Sequence, residues 1–177
     1  MDQLNTLAVN IGAMSNTRVV ISCVDYNHEI LSVSDFQEHV VEQLVNFYHS
    51  RLCQNLAVVR SLENMGISKR DINHHKIGFC DRTLHQHIAS SRTFEGASVR
   101  GVLEVHGLLR PSGHEELRGC IIVPLYDENG LIAGIFGKRL AQYIRRNGRR
   151  YTIWLATQNA INTLVFPNMV EVLRHEY

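Results

Sequence analysis

The side chains best placed to do chemistry fall in one stretch. Residues 138–150, KRLAQYIRRNGRR, carry Lys138, Arg139, Arg145, Arg146, Arg149 and Arg150 and no acidic residue. If these groups converge on one face they bind the phosphates of a polyanion; if they do not, they form a solvated loop around Asn147–Gly148. Tyr143 and Tyr151 lie in and beside the stretch and offer stacking surfaces for bases. Just before it, GIFGK at 134–138 sets Gly134 and Gly137 three apart. Glycines in a strand allow the close approach of a ligand or a second backbone, or mark a twisted, tightly packed strand.

Other chemistries find less support. Metal-assisted phosphoryl transfer needs clustered carboxylates, and the chain has no Asp-x-Asp. Glu115–Glu116 and Asp127–Glu128 are the nearest pairs, and after residue 128 the only acids are Glu171 and Glu176. Neighbouring residues on a strand point to opposite faces, and in turns such pairs are solvated. His74–His75 and His85/His87 invite a metal reading. Two-residue spacing on a helix does not place ligands on one face, so surface or capping roles fit them better. No GxxxxGK[ST], GxGxxG or serine nucleophile elbow is present. Neither a catalytic residue, a metal site nor a cofactor is expected.

The wider composition is ordinary. The chain has 177 residues, enough for one domain or two small subdomains, with 45% hydrophobic and 20% charged residues. The formal net charge is only +1. Its distribution is uneven: residues 1–67 hold three basic and seven acidic side chains, and residues 68–177 hold fifteen and ten. Cys23, Cys53, Cys80 and Cys120 are scattered without Cys-x-x-Cys, which fits buried thiols in a reducing compartment. There is no apolar run of transmembrane length and no basic signal-like N-terminus, so a cytoplasmic protein without membrane contact is expected.

The elements that must position the basic stretch follow from patterning. RVVISCV at 18–24 and ILSV at 30–33 suggest an N-terminal β-hairpin over residues 1–34. Ser34 opens a capping-box pattern with Gln37, and apolar spacing carries a helix to about Leu52. A second helix covers about 55–65 and stops at Gly66. Ser68 and Asp71 start a short third helix that reaches about His75. KIGFC is extended. Asp81 caps a helix over DRTLHQHIASS with Leu84 and Ile88 inward, and Ser98 caps another that ends at Gly107. Residues 120–126 form a buried strand, Asp127–Gly130 a turn and 131–138 the returning strand. YTIWL at 151–155 adds a strand, and two helical pieces split near Pro167 close the chain. The class is α+β, a cluster of short helices followed by a small antiparallel sheet.

The order of segments from about 44 to 140 carries a resemblance. LVNFYHSRL, MGIS, DINHHKIGF, LHQHI, VRGVLEVHGLLR and LRGCIIVPLYDENGLIAGIFGKRL follow one another. Together they resemble the N-terminal subdomain of the RNA-polymerase core of bacterial-type DNA primases, the region that precedes the TOPRIM fold. The family's Tyr-His matches Tyr48–His49. Its RG(I/L)S…I…(I/L)G(Y/F) run matches Gly66, Ile67, Ser68, Ile72, Ile77, Gly78 and Phe79, and its GLL matches Gly107–Leu109. Its basic-flanked strand pair matches Arg118, Ile121, Pro124, Asp127, Gly130, Gly134, Gly137, Lys138 and Leu140. Three positions depart from the pattern: Cys120 replaces an arginine, Phe136 a glycine, and Met65 stands where the family tends to have Arg.

The resemblance implies that Arg118 and Lys138, with Gly134 and Gly137, line a groove for single-stranded template. With the patterning, the expected division is a hairpin extension (1–34), a primase-core-like domain (35–140), and a basic loop, strand and C-terminal helices (141–177) packed on that domain; the resemblance covers the middle part and does not account for the two ends. The family's zinc domain, catalytic Glu and Asp-x-Asp are missing, so no polymerisation by this chain alone is expected. The chain is either a fragment of a longer primase-like protein or a small protein that kept the template-side module. The expected partners are single-stranded DNA or an RNA–DNA hybrid and a replication protein. An alternative is an inactive primase-derived adaptor that binds a replication or transposition partner through its acidic N-terminal third. A phosphate-directed enzyme using His74, His75 or His87 is a third reading.

Overall fold

The computed structural model describes residues 33–141, 148–157, 164 and 166–175. Helix α1 runs Val33–Gln54, α2 Leu56–Asn64 and α3 Lys69–His74, followed by strand β1, Gly78–Phe79. A single 3-10 turn, Leu84–Gln86, leads to α4, Phe94–Val105. Strands β2 (Cys120–Tyr126), β3 (Ile132–Arg139) and β4 (Tyr151–Leu155) and helix α5 (Asn168–His175) complete the order. The fold is α+β.

The four strands pair in chain order, each antiparallel to the next. Both sheet faces are covered. Ile122, Ile135 and Trp154 pack with Leu44, Phe47 and Tyr48 of α1 and Val99 and Leu103 of α4. Ile121, Val123, Leu125 and Phe136 pack with Val59 and Leu62 of α2 and with Val170 and Leu173 of α5. This double burial explains why CIIVPLY reads as a continuous apolar run and does not alternate. The β2–β3 turn is closed by Asp127, whose carboxylate accepts from the Asn129 and Leu131 amides, both at 2.9 Å. Gly130 supplies the positive φ of +79° that the turn requires.

Local signals explain much of the helical part. Ser68 and Asp71 form a reciprocal capping box at α3. Asn55 caps α2 by accepting from the Val58 amide at 3.2 Å. Three cap expectations need correction, at Asp81, Ser98 and Ser34. Asp81 starts no helix: its carboxylate binds the Thr83 amide at 3.1 Å and hydroxyl at 2.6 Å and pairs with Arg51 at 2.6 Å. Arg82 then turns to φ +73°, which a right-handed helix cannot include. Leu84 and Ile88 are nevertheless buried. Helix α4 is capped by Thr93, which accepts from the Gly96 amide at 3.1 Å, so Ser98 lies within the helix.

At the first helix, Val33 already belongs to α1, which puts the helix start ahead of the Ser34 cap position. The helix is broken at His39, φ −131° and ψ 30°. The hairpin expected from residues 18–24 and 30–33 lies outside the described residues except for Val33, which is helical. Of the two terminal helical pieces, the one after Pro167 is α5; residues 158–163 lie outside the described residues.

Candidate nucleic-acid interface

The antiparallel order has a direct consequence for charge. The ends of β1 and β3 and the starts of β2 and β4 meet at one end of the sheet. The Cys80 amide donates to the Cys120 carbonyl at 3.0 Å, Cys120 lies opposite Arg139, and the Arg139 amide donates to the Arg150 carbonyl at 2.8 Å. Arg82, Arg118, Arg139, Arg149 and Arg150, far apart in sequence, therefore sit on one rim. The opposite end of the β2–β3 pair carries the turn with Asp127 and Glu128. Arg118 and Arg149 are exposed, and Arg139 and Arg150 half-buried. Arg145, Arg146 and Tyr143 lie outside the described residues.

Lys138 stands apart from this rim. It lies on the α2/α5 face of β3, between Ile121 and Tyr151 in register, and is only 5% exposed. Arg139, one residue on, points to the other face beside Cys120. The Cys120 thiol is pushed up by burial, an effect that the Arg139 charge opposes. The Arg139 Nε is buried without a hydrogen-bond partner among the described residues. Tyr151 uses its hydroxyl to donate to the Arg174 carbonyl at 2.9 Å, and its ring stacks on Phe136 with 5.9 Å between centroids.

The two glycines of β3 are closely surrounded by the chain's own atoms. A Cβ on Gly134 would lie 3.0 Å from the Trp154 carbonyl oxygen, and one on Gly137 would lie 3.1 Å from Leu117 Cδ2. Both are buried. Of the two readings open for them in sequence, close packing of neighbouring backbone and side chains is the arrangement present.

Beside Arg118 the surface opens into a cavity of about 320 Å³, lined by Arg82, Arg100, Arg118, His85 and His114, with Leu84, Ile88 and Leu109 among its apolar walls. Glu115 also lines it. It is buried and accepts from the Tyr48 hydroxyl at 3.2 Å. Burial holds its carboxyl above the usual value, against the hydrogen bonds from Tyr48 and Cys80. Burial likewise raises the Tyr48 phenol and the Cys80 thiol, so the three groups favour their neutral forms.

Among the described residues the histidines do not assemble a centre. The His74 and His75 rings meet edge to face at 4.6 Å. His85 is exposed, and His87 tilts against Phe47 at 5.1 Å, its pKa lowered first by burial. Among the described residues no three His, Cys, Asp or Glu side chains gather as a metal ion would require. No helix among them is long and apolar enough to cross a membrane.

The sequence singles out Arg118 and Arg139 and gives no sign that Arg82, Arg100 and His114 lie beside Arg118. No local spacing links them; only the β1–β2 pairing and the packing of α4 bring them together. The one signal on offer was Asp81, whose turn aims Arg82, and it was assigned to a helix cap.

No protein-family model matches the chain, and no curated protein sequence matches it. Solved structures do. The Aquifex aeolicus primase, comprising zinc-binding and RNA-polymerase domains, aligns with a TM-score of 0.56 at 16% identity, over 72% of this chain and 31% of that one. The E. coli primase catalytic core aligns with 0.53 at 21% identity, over 68% and 38%. A DnaG primase catalytic domain bound to single-stranded DNA aligns with 0.53 at 20% identity, over 71% and 41%. The chain spans well under half the length of each. At this identity the likeness establishes the fold, which is that of part of a primase catalytic core.

Proposed function

We propose that the chain is the template-side, single-stranded nucleic-acid-binding module of a primase-like replication protein, equivalent to the N-terminal subdomain of the primase core. The observation that carries this reading is the rim on which Arg82, Arg118, Arg139 and Arg150 meet from four strand ends. Contacts from such a rim go to phosphates, so they set the path of a strand and read little sequence. Arg149 and Arg150 immediately precede β4, and the Arg139–Arg150 backbone bond holds them at the rim. Lys138, being buried, adds to the field and makes no direct contact. The likeness to a primase domain solved with single-stranded DNA supports the ligand class. No catalytic residue, metal or cofactor is assigned, and polymerisation is not expected of the chain alone.

The test is fluorescence anisotropy of a labelled single-stranded 20-mer across a salt series. A log–log slope of about −2 to −4 is expected if roughly three to six phosphates are contacted. Glu substitutions at Arg139, Arg149 and Arg150 together should abolish binding at moderate salt. Absence of binding at low salt would overturn the reading and favour the adaptor, to be pursued by identifying its protein partner.

A further inference from the structure

We infer that the cavity beside the rim is a socket for a phosphate monoester, and that a strand crossing the rim delivers its terminal phosphate there. The strand-end source rests on the strand-binding reading; the socket itself does not.

Three observations lead to it. The first is composition. Three arginines and two histidines line about 320 Å³, against the single carboxylate of Glu115, which is buried and hydrogen-bonded to Tyr48. This volume is at the low end for small-ligand clefts and suits a phosphate with its sugar. The second is unmet hydrogen bonding. Among the described residues, none of Arg82, Arg100 and Arg118 is in an ion pair. The Arg100 Nε is buried with no hydrogen-bond partner. A buried donor in that state calls for an acceptor, and a guanidinium is matched best by the oxygens of a phosphate.

The third is rigidity. The segment that carries Ser112, Gly113 and His114 is closed by reciprocal bonds, Arg110 amide to His114 carbonyl at 2.9 Å and Gly113 amide to Arg110 carbonyl at 2.8 Å. A two-pronged ion pair, Arg110 to Glu116 at 2.6 and 3.1 Å, clamps its base. On the facing wall, Asp81 fixes the turn that presents Arg82. The cavity is therefore held open by its own frame.

A monoester is favoured over an internal diester by charge. It carries about −1.5 to −2 at neutral pH and three terminal oxygens, whereas a diester carries one negative charge. Arg82 and Arg118 belong to both the cavity and the rim, so the two are continuous. Arg100, on α4, belongs to the cavity alone.

The experiment compares 5′-phosphorylated and 5′-hydroxyl forms of one labelled 20-mer, with ribose 5-phosphate titrated separately by calorimetry. For the intact chain the 5′-phosphate should tighten binding about fivefold, as charge-assisted hydrogen bonds would. Arg100→Ala should abolish that difference while leaving the 5′-hydroxyl strand bound as before. Arg82→Asn is the second variant, because Asn tolerates positive φ; it too should abolish the difference. Both are checked for folding by circular dichroism.

Saturable, Arg100-dependent binding of ribose 5-phosphate without a strand-end effect supports the socket and identifies a free phosphomonoester as its source. If the hydroxyl strand does not bind but the sugar phosphate does, the rim reading fails and the socket stands. Equal affinity for the two strand forms together with no binding of ribose 5-phosphate overturns the inference. So does a 5′-phosphate effect that persists in folded Arg100→Ala.

Discussion

Adjacent residues on β3 have opposite fates. Lys138 and Arg139 look equivalent in sequence, yet Lys138 is 5% exposed on the α2/α5 face while Arg139 lies half-buried on the other. The expected ranking in strand binding follows. Lys138→Met, which keeps the apolar stem, should cost less than threefold, and Arg149→Ala with Arg150→Ala more than tenfold, each loss of a phosphate contact also flattening the salt slope. Anisotropy at fixed salt would give the order. Glu115 is open to a different test. Burial raises its pKa above the unfolded value of 4.5, so the folded chain holds that proton more tightly. Its contribution to stability is full below 4.5 and is lost as pH rises through the folded value. Glu115→Gln should therefore raise the urea midpoint at pH 7, with the gain shrinking toward pH 4. The sequence displayed the carboxylate but not its burial, which depends on α1 bringing Tyr48 against it.

At the scale of elements, β1 is two residues long and survives by contact. A Cβ at Gly78 would lie 2.7 Å from the Tyr48 carbonyl carbon and 2.8 Å from the His49 amide nitrogen, so β1 lies directly on the α1 backbone. Gly78→Ala should separate strand from helix and destabilise by roughly 1–3 kcal/mol, measurable by thermal or urea unfolding. The strand β4 is held partly by Trp154, whose indole donates to the His106 carbonyl at 2.7 Å at the end of α4. The strands β2, β3 and β4, the β2–β3 turn, the stop of α2 at Gly66 and the α3 cap were legible in sequence, because each rests on neighbouring residues. Two of the misplaced caps show why the rest was not. Asp81 and Ser98 are good cap residues, but tertiary partners recruited Asp81 for Arg51 and an earlier Thr93 took the cap of α4. Local preference was sound in type and was overruled in position by packing.

At the scale of the whole molecule, the basic stretch was visible and its convergence was not. Sequence could mark Arg118, Arg139, Arg149 and Arg150 one by one; the meander is what places them on one rim and adds Arg82. That arrangement also separates charge along the strands, with arginines at one end and the Asp127–Glu128 turn at the other. Along the described strands charge is therefore separated from end to end, which acts as a local dipole although the formal charge of the chain is only +1. In the field of a polyanion the chain experiences a torque before it experiences net attraction, so it rotates rim-first while still several ångströms away. Its retention on heparin should exceed that of a protein of equal charge with scattered residues, and should collapse once salt shortens the reach of the field to less than the length of the sheet.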